Sequence, residues 1–182
     1  MILPIYNEAK YIERTCDTVL DFSRHHPDYD FIFVNDGSTD KTKQIIHSKL
    51  AVSNNTNIQL ISYPINQGKG YAVKTGVEYA QGEYVCFIDS DLAYYLEHLE
   101  ILVEKLQYFG MVIGCRNLAA AKNLKGLNFT KKIAGKIFNK LSREILNLPF
   151  TDMQAGIKGF HIKAAKQLFQ LQGLNRFYFN VV

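Results

Sequence analysis

Short apolar runs alternate along the chain with segments in which apolar residues recur three or four positions apart. Five apolar runs have the length and composition of buried strands, at residues 1–5, 30–35, 58–63, 84–88 and 111–115. Helical spacing predicts helices at residues 8–22, 39–50, 69–80 and 96–109. Strands alternating with helices of this length predict βαβ units, and therefore an α/β fold with a mostly parallel sheet flanked by helices.

Helix caps are expected at two of these boundaries. Asn7 precedes the first helical segment, and Ser38, Thr39 and Asp40 open the second. These residue types are favoured as N-caps, because their side chains accept hydrogen bonds from the first amides of a helix.

One further helix is predicted at residues 130–148, in a strongly basic region. Residues 111–151 contain eight Lys or Arg residues and a single acid, Glu144. Lys132, Lys136 and Lys140 recur at every fourth position and so share one helix face. A basic amphipathic helix can lie on an anionic membrane surface. An ordinary solvated lysine face over a packed apolar stripe is an equally good interpretation.

Composition bounds the class of protein. The 182 residues favour one domain, residues 1–182, and the 47% hydrophobic content excludes general disorder. Cys16, Cys86 and Cys115 form no CxxC pair, and buried reduced thiols in a reducing, cytoplasmic compartment are expected. The net charge of +4 is modest, and we expect no nucleic-acid partner.

The sequence shows no apolar run near the ~18–20 residues of a membrane span, and no signal peptide opens it. The chain starts inside one apolar run and stops inside another. We therefore expect a fragment of a longer protein, truncated at its C-terminal end.

Polar residues gather where the predicted strands end. In an open parallel sheet these ends lie at one edge, which is where ligands bind. The residues that follow the five strands include Pro4, Tyr6, Glu8, Asp36, Lys69, Asp89, Ser90, Asp91 and Arg116. Their convergence at one edge is more informative than any single motif.

The acidic pair in the run YVCFIDSDLAYY is the sharpest of these features. Asp89 and Asp91 are two residues apart, so in extended backbone both carboxylates face one site. Two such charges are stable together when a divalent cation joins them, and Mg²⁺ or Mn²⁺ prefers carboxylate and phosphate oxygens. The alternative is that the pair ends a strand and caps a helix beginning near Leu92.

Two weaker motifs accompany the acidic pair. Asp36 lies in a DGS turn, where it can bind a nucleobase or form an Asx-turn leading into a helix. The GKG at residues 68–70 lacks the spacing of either common phosphate-binding loop. Its glycines permit close backbone approach, and Lys69 is suited to contact a phosphate.

Six motifs in this order carry a family resemblance. They are PIYNE, VNDGSTD, NQGKGYAVKTG, the apolar strand into DSD, GCR, and DMQAGIKGF at residues 152–160. Over nearly its whole length the chain resembles the family 2 glycosyltransferases with the GT-A fold. The most similar branch makes polyprenyl-phosphate (dolichyl-phosphate) sugars, particularly the glucose-linked lipid.

The resemblance implies a role for each candidate residue. Residues 1–118 would bind the nucleotide sugar and residues 119–182 the acceptor. Asp36 would contact the base, Asp89 the sugar and ribose, and Asp91, with Asp89, a Mg²⁺ or Mn²⁺ ion on the diphosphate. The donor-side set is Pro4, Tyr6, Glu8, Asp36, Lys69, Asp89 and Ser90. Arg116 and Asp152 join Asp89 and Asp91 as catalytic candidates, with Gln154 and Lys158 on the acceptor side.

One departure from the family pattern concerns the acceptor. Residues 176–182 read RFYFNVV, with Asn180 where the family commonly has an acid. A sugar hydroxyl needs a positioned base, whereas a lipid phosphate is already anionic at pH 7. The missing acid and the basic segment therefore favour the same acceptor, a polyprenyl phosphate.

The implied activity is metal-dependent transfer of a hexose, with inversion, to a polyprenyl phosphate at the inner face of the cell membrane. UDP-glucose is the favoured donor, and GDP-mannose stays open. Two alternatives are a transferase acting on a glycan hydroxyl, for a polysaccharide or cell-surface oligosaccharide, and a sugar-nucleotide-binding module without turnover.

Overall fold

The computed structural model describes residues 1–53, 55–115 and 155–171. The strands are β1 (Ile2–Ile5), β2 (Phe31–Asp36), β3 (Ile58–Tyr63), β4 (Tyr84–Ile88), β5 (Met111–Ile113) and β6 (Ile157–His161). The helices are α1 (Ile12–His25), α2 (Thr42–Ala51), α3 (Lys69–Tyr79), α4 (His98–Leu106) and α5 (Ile162–Leu171). The helix expected at residues 130–148 lies outside the described residues. No helix within the described ranges is both long and apolar enough to cross a membrane.

The six strands form one sheet in the order β3-β2-β1-β4-β6-β5. β1 pairs in parallel with β2 and β4, and β2 in parallel with β3. The predicted α/β fold and its mostly parallel sheet are confirmed. The carboxyl ends of β1, β2 and β4 therefore lie at one edge of the sheet, which brings together the polar residues that follow these strands.

β6 was not predicted. It runs antiparallel between β4 and β5, so that Lys158 lies opposite both Phe87 and Ile113. The segment reads IKGFH, and a lysine and a glycine in five residues give no strand pattern. Backbone pairing with both β4 and β5 stabilises this strand despite its low β-propensity.

Helices cover both faces of the sheet, which explains why β1 and β2 are buried at every position. One apolar cluster packs α1, α2 and α4 against residues such as Leu3, Phe33 and Ile88. A second cluster packs α3 and α5 against Ile2, Val34 and Phe87. Alternate residues of the strands therefore pack into two apolar cores, one on each face of the sheet.

The helix starts differ from prediction at three places. α1 begins at Ile12 rather than residue 8, α2 at Thr42 rather than residue 39, and α4 at His98 rather than residue 96. The expected cap by Asn7 is wrong. Its side chain instead accepts hydrogen bonds from Thr39, on the loop after β2.

Candidate functional site

A cleft of about 470 Å³ opens at the carboxyl edge of the sheet, and we call it the strand-end cleft. Its lining residues are Pro4, Ile5, Tyr6, Glu8, Asp36, Asn66, Gly68, Lys69, Ala72, Asp89, Ser90 and Asp91. All seven residues assigned from the sequence to the donor side are among them, together with Asp91. Ile5, Asn66, Gly68 and Ala72 also line the cleft and are not in the donor-side set that the resemblance implies.

Two loops form one wall of the cleft by bonding to each other. Ser38 Oγ accepts from the amide of Asn7 at 2.9 Å, and Asn7 Oδ1 accepts from the amide of Thr39 at 2.8 Å. The amide of Glu8 donates to Thr42 Oγ1 at 2.8 Å. Asn7 takes a left-handed φ of 52° to make these contacts, which asparagine tolerates better than most residues. The PIYNE and DGSTD motifs are therefore one structural unit.

Asp40 ties the same two loops together. Its carboxylate accepts from the amides of Ala9 at 3.1 Å and Thr42 at 2.9 Å. Asp40 is exposed, and the slight desolvation of its carboxylate by neighbouring atoms is outweighed by the hydrogen bonds from Thr42 and Ala9, which lower its pKa.

Asp36 organises the floor of the cleft. It is buried, and its carboxylate accepts from Asn66 Nδ2 at 2.7 Å and from the amides of Gln67 at 2.7 Å and Gly68 at 2.9 Å. Burial raises the pKa of the nearby Tyr63 phenol, and the Asp36 carboxylate adds to the rise. The base-contacting role of Asp36 stays a prediction. What the geometry adds is that Asp36 shapes the loop leading into α3.

Gly37 is required beside Asp36. Its φ is +64°, and a Cβ there would lie 2.4 Å from the Asn66 amide nitrogen and 2.5 Å from the Ile65 carbonyl carbon. Those contacts are with backbone, so they could be relieved only by moving the loop. The DGS turn and the loop at residues 65–68 are packed together directly.

Lys69, the first residue of α3, reaches across the cleft to the acidic pair. Its Nζ lies 2.5 Å from Asp89 Oδ1, and the two side chains are 33% and 41% exposed. A cation and a carboxylate thus lie against each other in an open cleft, where each remains accessible to a ligand.

The backbone of Asp89 is bonded to Gly156, the residue that precedes β6. Its amide donates to the carbonyl oxygen of Gly156 at 3.0 Å. A Cβ on Gly156 would lie only 2.5 Å from Asp89 Oδ2. The sequence placed Gly156 in a motif, DMQAGIKGF, but gave no sign of this contact, because the two residues are far apart in the chain.

The backbone after Asp89 forms a tight turn. The Leu92 amide donates to the Asp89 carbonyl oxygen, and the Ala93 amide donates to Asp91 Oδ1 at 3.1 Å. Leu92 takes a φ of 47°, which is uncommon for a non-glycine residue. The helix-capping alternative for the acidic pair is wrong, because α4 begins only at His98 and has no side-chain cap.

Thr15, on α1, fixes the middle of this turn. It is buried, and its Oγ1 donates to the Ser90 carbonyl oxygen at 2.7 Å. This contact orients a residue between the two carboxylates, and sequence reasoning did not detect it.

The remaining candidates divide into two groups. Arg116, Asp152, Gln154 and Asn180 lie outside the described residues. Lys158 lies in β6, is 1% exposed, and places its Nζ 5.8 Å from the centre of the Phe87 ring. It does not line the strand-end cleft, and its acceptor-side role stays a prediction.

The donor set at the cleft suits a hard cation. Within residues 1–53, 55–115 and 155–171 no three His, Cys, Asp or Glu side chains are grouped to hold a metal. Mg²⁺ and Mn²⁺ at phosphate sites are typically held by one or two carboxylates, with substrate phosphates as further ligands. Asp91 and Asp89, both facing the cleft, fit that requirement.

Comparison with known proteins adds a family. The family described as Glycosyl transferase family 2 matches residues 1–169. The dolichyl-phosphate beta-glucosyltransferase ALG5A of Trichomonas vaginalis is 30% identical over 193 residues, which cover 97% of this chain and 57% of that protein. The chain spans less than two thirds of the length of the curated relatives it matches.

Two solved structures share the fold. The mannosyltransferase PcManGT from Pyrobaculum calidifontis, in complex with GDP-Man and Mn²⁺, has a TM-score of 0.65 at 20% identity and covers 92% of this chain and 45% of that one. Glucosyl-3-phosphoglycerate synthase from Mycobacterium tuberculosis, with Mn²⁺, UDP and phosphoglyceric acid, has a TM-score of 0.62 at 19% identity, covering 89% and 55%. At these identities the likeness shows the GT-A fold.

Proposed function

Because this chain belongs to glycosyl transferase family 2, we propose that it transfers a hexose from a nucleoside diphosphate sugar to a polyprenyl phosphate. The observation that carries the proposal is the convergence of Asp36, Lys69, Asp89 and Asp91 on one cleft at the carboxyl ends of the strands. UDP-glucose is the proposed donor, since the relative ALG5A is named as a dolichyl-phosphate glucosyltransferase. GDP-mannose is the second donor to test.

The cleft provides complementary groups for such a donor. The loops at residues 4–8 and 36–38, bonded to each other, form a rigid wall for the nucleoside. Lys69 supplies a positive charge for the diphosphate. Asp91 and Asp89 would hold a Mg²⁺ or Mn²⁺ ion, which supplies Lewis-acid stabilisation of negative charge on the leaving diphosphate.

The proposed reaction is a single displacement. An oxygen of the lipid phosphate attacks the anomeric carbon, the bond from that carbon to the diphosphate oxygen breaks, and the nucleoside diphosphate leaves with the electron pair. The configuration at the anomeric carbon inverts. The attacking phosphate is already anionic at pH 7, so the step needs no general base in place of Asn180.

The proposed acceptor also implies where in the cell the protein acts. Polyprenyl phosphates are membrane lipids, so we propose that the protein acts at the cytoplasmic face of the cell membrane. The lysine-rich segment at residues 130–148 supplies the charge for contact with anionic lipid.

A binding panel tests the donor. Thermal unfolding is measured with UDP-glucose, GDP-mannose, UDP and GDP, each with and without Mn²⁺. Saturation at about 100 times Kd should raise Tm by roughly 5–10 °C. We expect a rise with uridine nucleotides and Mn²⁺ together, lost in Asp91→Asn and retained in the exposed control Asp28→Asn. No shift with any nucleotide would overturn the donor assignment.

A transfer assay tests the acceptor. Labelled donor is incubated with a short-chain polyprenyl phosphate in detergent, and in parallel with the corresponding polyprenol and with a soluble oligosaccharide. We expect label in the organic phase with the phosphate only. Transfer to the oligosaccharide instead would favour the glycan-hydroxyl alternative, and donor binding without any transfer would favour a binding module.

A further inference from the structure

Lys69 and the proposed divalent cation would compete for the same carboxylate, that of Asp89. Asp89 is one of the two carboxylates proposed to hold the divalent cation, yet its Oδ1 already contacts the ammonium group of Lys69 at 2.5 Å. A divalent ion on that oxygen would bring two cations into contact. At such short range their repulsion is strong, even where solvent screens it.

Of the two partners, Lys69 is the one able to move. The Asp89 backbone is fixed by the hydrogen bond of its amide to the Gly156 carbonyl oxygen, and its carboxylate lies so near Gly156 that a Cβ there would be 2.5 Å from Oδ2. Lysine carries its charge on a flexible four-carbon stem, and the Lys69 side chain is one-third exposed. The ammonium group can therefore leave Asp89 without a change in the backbone.

A diphosphate bound in the same cleft would offer the Lys69 ammonium group an alternative ion-pair partner. Lys69, Asp89 and Asp91 all line the strand-end cleft, so a diphosphate bound there lies within reach of the lysine. A phosphate is at least as good a partner for a lysine ammonium as a carboxylate is.

We propose that Lys69 occupies the place of the divalent cation on Asp89 until a nucleoside diphosphate draws its ammonium group away. Metal binding then depends on the diphosphate, and by linkage the metal strengthens diphosphate binding by the same factor. The diphosphate half of this inference rests on the proposed function. The competition between Lys69 and the cation for Asp89 rests only on the fit of the carboxylate pair to a divalent cation, and not on the identity of the donor or the acceptor.

Direct Mn²⁺ titration tests the competition, with free Mn²⁺ followed by electron paramagnetic resonance. In the absence of nucleotide, Lys69→Met should bind Mn²⁺ roughly tenfold more tightly than the unmodified protein. Lys69→Arg keeps the charge and should bind Mn²⁺ as weakly as the unmodified protein. Lys74→Met removes a positive charge from the same helix, in a groove lined by Val77, Glu78 and Phe169, and should change the affinity little.

The same titration is repeated with saturating UDP and with GDP. In the unmodified protein one of them should tighten Mn²⁺ binding at least tenfold, and in Lys69→Met this enhancement should shrink. Circular dichroism of each variant confirms that it is folded, with Lys69→Gln as a second neutral variant.

The possible failures are distinguishable. An unchanged or weaker Mn²⁺ affinity in folded Lys69→Met and Lys69→Gln overturns the competition, as does an equal gain in Lys74→Met. If neither UDP nor GDP affects Mn²⁺ binding in the unmodified protein, the donor assignment and the diphosphate half fail together. The nucleotide-free comparison still decides whether Lys69 competes for Asp89.

Discussion

The amide of Asp89 donates to the carbonyl oxygen of Gly156 at 3.0 Å, so the turn that carries the acidic pair is bonded to the residue that precedes β6. The missing side chain of Gly156 is what allows the Asp89 carboxylate to lie where it does. Two motifs from distant parts of the chain thus meet in one contact, and its consequences can be measured.

Gly156→Ala should displace the Asp89 carboxylate. The new Cβ would lie 2.5 Å from Asp89 Oδ2, so the side chain or the strand must shift. Overpacking of this kind costs about 1–3 kcal/mol of the free energy of unfolding. Urea denaturation measures the cost, and Mn²⁺ titration should show weaker binding.

Gly110→Ala is the matched control, because a Cβ there meets nothing within 4 Å. It should leave both the stability and the Mn²⁺ affinity close to those of the unmodified protein. If Gly156→Ala behaves like Gly110→Ala, the contact between Gly156 and Asp89 does not position the carboxylate.

Asp36→Asn should loosen the loop at residues 66–68. The carboxylate accepts three hydrogen bonds there. Asparagine replaces one of its two acceptor oxygens with an NH₂ group, which would face the donors that now bond to that oxygen. We expect a loss of roughly 2–3 kcal/mol in the free energy of unfolding, measured by urea denaturation.

Asp28→Asn is the control for the loss of one negative charge, since Asp28 is exposed. It should change the stability by less than about 0.5 kcal/mol. Equal stability of Asp36→Asn and Asp28→Asn would contradict the anchoring role of Asp36.

Asp40 should make stability depend on pH. Its pKa is lowered in the folded protein, because hydrogen bonds from Thr42 and Ala9 outweigh the slight desolvation of its carboxylate. A lowered pKa means that the carboxylate stabilises the folded state above its ordinary pKa of 3.8. That contribution is lost as the pH falls through the lower, folded-state pKa.

The test compares the unmodified protein with Asp40→Asn by urea denaturation from pH 7 to pH 3. The unmodified protein should be the more stable of the two near pH 7, and the difference should narrow at the acidic end. A difference that is constant across this range would show that the ionised form of Asp40 has no special role.

The cysteines should differ in reactivity. Burial raises the pKa of Cys16 to about 12, with Asp17 adding to the rise, and burial raises the pKa of Cys86 to about 11. Cys115 is only partly buried. At pH 8 in the native protein, a thiol reagent should label Cys115 at least about tenfold faster than the other two.

Denaturation should bring the labelling to three thiols per chain, the number in the sequence. Mass spectrometry of peptides after brief labelling identifies the modified residue. Rapid native labelling of Cys16 or Cys86 would mean that the apolar cluster containing both residues opens readily.

Local pattern was sufficient for much of the fold. All five predicted strands are present, and so are the four predicted helices that fall within the described residues, three of them with shifted starts. The strands β1, β2 and β4 are recognisable because both faces of the sheet are buried there and the runs are nearly continuous in apolar residues. β6 was not predicted because its Lys158 and Gly159 are unfavourable in a strand judged from local sequence alone.

The sequence by itself determined which charged residues meet at the site. Once alternating strands and helices imply a parallel sheet, the residues after each strand must share an edge, and Asp36, Lys69, Asp89 and Asp91 do. Only the tertiary structure decided how they are held. The bonds of Asp36 to Gly68, of Lys69 to Asp89 and of Asp89 to Gly156 join segments distant in sequence. No local pattern encodes such pairings, because each depends on where the packed elements bring the backbone.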